Sequence, residues 1–126
     1  MKKSIFPILL FLFMVIGLYF STNYMHLTYN NLLKTACETE ENIAFNEWDN
    51  AYINSVYLLK EFEHSMSYIT LFLNHEELDS VYDEVLKLTQ FTNQKDKVHS
   101  LSTIHLIKGL IESLDEEQKI NIKNIF

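Results

Sequence analysis

The sequence predicts an all-α protein, an N-terminal transmembrane helix continuous with an extracytoplasmic antiparallel helical bundle of about four helices. Three observations lead there. Only two Gly and one Pro occur among 126 residues, while 48% are hydrophobic, so β-turn chemistry is scarce and long helices are favoured. A charge-free apolar run follows two lysines at the N-terminus, and behind it apolar residues recur at alternating spacings of three and four. Setting the span aside leaves about 100 residues, enough for one modest core and too few for a multidomain enzyme.

The first segment, "MKKSIFPILLFLFMVIGLYF", is apolar from Ile5 to Phe20 and meets no charge before Lys34. That is roughly the 20 residues needed to cross a bilayer. A cleavable signal peptide is the rival. "YFSTNYMHL" offers no small-x-small cleavage site, and no cysteine closes the run to take a lipid, which favours an uncleaved signal anchor over residues 1–24. Tyr19, Phe20 and Tyr24 would be its aromatic anchors, and Pro7 lies in the first turns, where a missing donor costs least. Because Lys2 and Lys3 precede the run, the N-terminus is expected in the cytoplasm and residues 25–118 outside it.

Met25, Tyr29, Leu32, Ala36, Thr39 and Ile43 form one stripe, so the span should continue as a stalk helix over about 25–44. Asn46, with Asp49 three residues on, resembles an N-cap opening a second helix over about 47–73. Its expected stripe is Trp48, Tyr52, Ser55, Leu59, Phe62, Met66, Ile69 and Leu73. In "LFLNHEELDS", Asn74 and Glu77 have capping-box spacing and would start a third helix over about 76–91, carrying Leu78, Val81, Tyr82, Val85, Leu86 and Leu88. A fourth, over about 96–114, carries Val98, Leu101, Ile104, Ile107, Leu110, Ile111 and Leu114, with Asn93 or Asp96 as its cap. Short connections imply up-and-down packing, which returns the apolar end of helix two, "MSYITLFL", toward the membrane. In the tail, 119–126, Ile120 and Ile122 alternate with Asn121 and Lys123 as in an extended segment, before Ile125 and Phe126. Such a tail either covers the bundle or is offered to a partner.

Charge and motif content exclude several functions. The net charge is −7 and no Arg occurs, so nucleic acid is disfavoured as a partner. Cys37 stands alone, which rules out an intramolecular disulfide and a cysteine-based metal cluster; a small buried helix residue is expected. Glu61-x-x-His64 and Asp96-x-x-His99 have di-metal spacing, but His64 lies about 200° from Phe62 and Asp96 opens a helix, so solvated faces and a cap explain them better. His105 follows Ile104 and is expected partly buried, and His26 falls where the span leaves the bilayer. No nucleophile elbow, phosphate loop or zinc-protease pair is present, and the acidic groups at 38–41, 76–84 and 115–117 lack calcium-loop spacing. His75, Glu77 and Asp79 remain as a candidate functional corner, and no cofactor is expected.

The order of "NEWDNAY", "LFLNHEELDSVYDEVLKL", "NQKDKVHSLSTIHLIKGLIE" and "EEQKINIKNIF" resembles an uncharacterised bacterial family of short membrane-anchored helical proteins, the domain of unknown function 4363 family. His75, Glu77, Leu78 and Asp79 match its corner motif, Asn121, Asn124 and Ile125 its closing signature, and Trp48 the aromatic at the start of helix two. Met66 and Tyr68 depart from its pattern. The resemblance implies a membrane-tethered bundle and assigns no activity. The expectation is a non-catalytic interaction or accessory module of the cell envelope, binding another envelope protein through Ile120, Ile122, Ile125 and Phe126 or self-associating through the stalk stripe. The alternative is a small sensor or enzyme with a metal or proton-transfer site around His75, Glu77 and Asp79.

Overall fold

A computed structural model describes the backbone of residues 2–69 and 75–125 and the side chains of residues 4–67 and 75–117. Four helices carry it, α1 (Lys2–Ala44), α2 (Trp48–Ile69), α3 (His75–Asn93) and α4 (Lys97–Ile125). α1 packs on α2 and α4, and α3 packs on the same two, so the helices stand in a square with antiparallel neighbours. Asn74, Leu73 and Phe126 lie outside the described residues.

α1 is one helix of 43 residues, about 64 Å at 1.5 Å per residue. Its apolar part stands clear of the bundle: the best 18-residue window has a mean hydropathy of 2.3, and none of it is buried. Then the helix changes character. Met25, Tyr29, Leu32, Ala36, Thr39 and Ile43 are all buried, as their spacing requires. That whole stripe is covered by the chain's own bundle.

The buried row of α2 differs from the expected one. Ala51, Ser55, Leu58, Phe62 and Ser65 face the core, while Tyr52 is exposed and Trp48, Leu59 and Met66 are only partly covered. The spacing of four and three is kept, but the row is turned toward small residues. Ala and Ser are what let neighbouring helices approach, so size at the contact decided the rotation. α3 buries Leu78, Val81, Val85, Leu88, Thr89 and Thr92 and leaves Leu86 at the surface. α4 buries Ser100, Thr103, Ile104, Ile107, Ile111 and Leu114. Val98 is 76% exposed, in the first turn before that row begins. His105 is exposed, not partly buried, because about 100° beyond Ile104 already lies outside the row. Cys37 is exposed for the same reason beside Ala36.

Buried hydroxyls are kept neutral by their own helices. Thr39 Oγ1 donates to the Thr35 carbonyl at 2.8 Å, Ser65 Oγ to that of Glu61 at 2.9 Å and Thr92 Oγ1 to that of Leu88 at 2.9 Å. Ser55 and Thr92 also meet across α2 and α3 at 3.1 Å. Most of the small polar residues in the core are therefore paired, Ser100 Oγ being an exception among the described residues.

The two corners far from the apolar segment share one design. Asn46 and Lys95 both have φ of 59°. Glu47 N donates to Asn42 O at 2.8 Å and Asn46 N to Ile43 O at 3.1 Å; Asp96 N donates to Phe91 O at 3.0 Å and Lys95 N to Thr92 O at 3.1 Å. These are paired Schellman caps. Asn46 is thus the left-handed closing residue of α1 and not the N-cap of α2, a role asparagine tolerates better than most residues. Asp96 does cap α4: its Oδ1 accepts from His99 N at 3.1 Å. Lys97 Nζ ties the corners together by donating to Ala44 O at 3.2 Å.

The tail is corrected as well. α4 runs to Ile125 as one helix of 29 residues, where the Ile120–Ile122 alternation had suggested an extended chain. No Gly or Pro follows Gly109, and Glu116, Glu117, Gln118 and Lys119 are good helix formers, so nothing stops propagation. Two alternating isoleucines are too short a pattern to oppose that.

Two stability changes follow from the corners. Lys95→Gly should raise unfolding stability by about 0.5–1 kcal/mol, because glycine relieves the left-handed strain at some entropic cost. Asp96→Ala should lower it by about 1 kcal/mol. Denaturant titration monitored by circular dichroism reads both.

Candidate functional site

The strongest concentration of titratable groups lies where the apolar part of α1 leaves the bundle. The helix registers put it there. His26 and Tyr29 occupy the first bundle turns of α1, Glu77 the first turn of α3, and Asp115 and Glu117 the returning end of α4. His26 Nδ1 lies 3.4 Å from Asp115 Oδ1, and Asn30 Nδ2 lies 3.3 Å from His26 Nε2. A ring protonated on Nδ1 satisfies both contacts, donating to the carboxylate and accepting from the amide.

Tyr29 is 0% exposed, and its phenol oxygen has no hydrogen-bond partner among the described residues. Burial, then the charges of Asp115 and Glu117, hold that phenol well above the ordinary tyrosine range, so it stays protonated. An unsatisfied buried hydroxyl costs about 1–3 kcal/mol. Among the described residues Ser100 Oγ shares this condition, while Thr39, Ser65 and Thr92 bond to their own helices.

Glu117 on α4 is close enough to Glu77 on α3 to be influenced by it. The hydrogen bond from Glu77 raises the Glu117 carboxyl above the usual range, with burial and the Glu77 charge adding to it. Two carboxyl groups can hydrogen-bond only if one carries a proton, and repulsion opposes charging both. Glu117 therefore binds its proton more readily than an isolated carboxyl does.

All three corner residues are exposed, and of them only Glu77 influences Glu117. Among the described residues, no group of three His, Cys, Asp or Glu side chains is arranged to hold a metal ion. Glu61 Oε2 accepts from Thr35 Oγ1 at 3.2 Å while His64 is exposed, and His99 Nδ1 rests 2.8 Å from Asp96 Oδ2 within the α4 cap. The backbone of 119–125 is helical, and the side chains of Ile120, Ile122 and Ile125 lie outside the described ones. Tyr29 and Glu117 were missed in the sequence. Tyr29 reads as one more apolar stripe member, and only its phenol hinted at more.

Elsewhere, Tyr82 Oη donates to Glu63 Oε1 at 2.9 Å and Lys108 Nζ to Glu40 Oε1 at 3.2 Å, ties that join α2 to α3 and α1 to α4. A solvent-open polar recess of about 350 Å³ lies between α1 and α2, lined by Asn31, Lys34, Thr35, Glu38, Tyr57 and Glu61.

Residues 19–125 match the family described as Domain of unknown function (DUF4363). The chain belongs to that family. The DUF4363 match begins at Tyr19, inside the apolar stretch, and takes in every described buried residue of the bundle together with all of α4. No curated protein and no solved structure matches the chain.

The carboxyl pair gives stability a pH dependence of defined sign. Glu117 has a folded pKa above its unfolded one, so the folded chain binds more protons. Its contribution is fully present below the unfolded carboxyl value of about 4.3 and is lost as pH rises through the higher folded value. Glu117→Gln should flatten that fall in a series of denaturant midpoints across the mildly acidic range. An unchanged slope would mean that the two carboxyls do not share a proton.

Proposed function

We propose that this is a membrane-tethered, non-catalytic helical module that works by contact with another envelope protein, its bundle outside the cytoplasm. The observation that carries the reading is α1. One unbroken helix has about twenty residues that are apolar on all sides and uncovered, and then a one-sided stripe buried by three further helices. A soluble chain would have to hide Ile5, Phe6, Leu9, Leu10 and Phe13, all exposed here. The two lysines before that stretch set the orientation.

Contact with another protein is supported by the outer side of α2. Ile53 and Tyr57 are 62% and 56% exposed, and with Tyr52, Val56 and Lys60 they line a shallow, mostly apolar depression. Such a surface fits association better than solvation.

Cys37 makes the topology directly measurable, since it is the only cysteine and is exposed on the bundle part of α1. In intact cells producing the full chain, a membrane-impermeant maleimide should label Cys37, and alkaline carbonate should leave the protein in the membrane pellet. Labelling that requires permeabilised cells would reverse the orientation. For the contact surface, a photo-crosslinking residue at position 53 should give discrete adducts in membranes that the same group at position 87 does not. Equal adducts at both positions would remove α2 as the contact.

A further inference from the structure

α4 is longer than the bundle it belongs to. Its level against α1 is fixed at both ends, by Lys97 Nζ on Ala44 O at 3.2 Å and by His26 Nδ1 beside Asp115 Oδ1 at 3.4 Å. From Asp115 the helix continues ten residues to Ile125, about 15 Å at 1.5 Å per residue. Over that distance α1 runs back from His26 to about residue 16. That is the part of α1 where Ile16, Tyr19, Phe20 and Tyr24 are exposed. The described part of α2 reaches Ile69, which the Thr35–Glu61 contact places near the level of the first bundle turn of α1.

The composition of these last turns reverses the sign of the chain. The sequence "QKINIKNIF" carries two lysines and no acid in a protein of net charge −7. Lys119 and Lys123 share a face at a separation of four, while Ile122 and Ile125 extend the register of Ile107, Ile111 and Leu114. Adjoining basic and apolar faces are what a helix needs at a bilayer surface, with lysine stems reaching along the apolar side to the phosphates. Helices in such a bundle run about 8–10 Å apart, so whatever surrounds residues 16–24 of α1 is also beside this segment.

We propose that the last two turns of α4, residues 119–125, enter the headgroup layer beside α1 and bind anionic phospholipid through Lys119 and Lys123. The chain then holds the membrane at both ends. The inference rests on the membrane-tethered reading of α1, and the test separates the two.

The full chain, with Cys37→Ser and a nitroxide at Asn124→Cys, is placed in nanodiscs of phosphatidylcholine alone or mixed with phosphatidylglycerol. A second label at Phe13→Cys reports on the span. Power-saturation spectra compare accessibility to oxygen, which partitions into lipid, with that to a water-soluble nickel complex. At position 124, phosphatidylglycerol should lower the nickel-to-oxygen ratio severalfold, and Lys119→Glu with Lys123→Glu should restore it, the helical circular dichroism being retained. A ratio at 124 that is water-like in both lipids, with position 13 still lipid-like, would overturn the proposal and leave the anchor intact. A water-like position 13 would overturn the anchor itself. Protection at 124 that ignores lipid charge and comes with label–label broadening would assign the segment to a second copy of the chain and overturn the lipid assignment.

Discussion

Everything in this fold depends on α1 remaining a single helix while its sidedness changes at Met25. Before that residue, large apolar side chains cover the whole circumference; after it, a seven-residue pattern confines them to one stripe. Because no break separates the two parts, the bundle cannot choose its own axis. α2 and α4 pack on the stripe α1 offers, and α3 closes the square against those two. The threonines and serines in the core are tolerated because each helix satisfies most of them internally, so buried polarity costs little there.

An even number of antiparallel helices brings both chain ends to the same side of the bundle. The far side is closed by two matching Schellman corners linked by Lys97. The near side collects acids of α3 and α4 near Tyr29, and Glu77 raises the carboxyl of Glu117 there. Local rules explain the far corners fully. The near end depends on groups whose energies are set by one another.

The parts of this structure that were legible in the sequence were those governed by periodicity in large residues. The α1 stripe was correct residue by residue, and so were the main rows of α3 and α4, since Leu, Ile and Val at regular spacing leave few alternatives. The α2 row was misplaced because its buried members include Ala51, Ser55 and Ser65, which carry no hydrophobic signal of their own. Asn46 fitted two local roles, N-cap and left-handed closure, and only the backbone φ distinguishes them. The tail was misread because alternation over a few residues competes poorly with continued helix. Of the site, the sequence pointed to Glu77 through its neighbours and motif. Its pairing with Glu117, forty residues away, follows from how far α3 and α4 slide past each other, which no local pattern encodes.

The unbroken passage from exposed apolar helix to bundle locks two azimuths. Each added residue turns an α-helix by about 100°. The direction in which the bundle presents α2, with Ile53 and Tyr57 on its outer side, is therefore set by the number of residues between the apolar segment and Met25. A rotation of the apolar segment about its own axis would swing the whole bundle like a vane on its shaft, and a torque on the bundle would be felt along that segment.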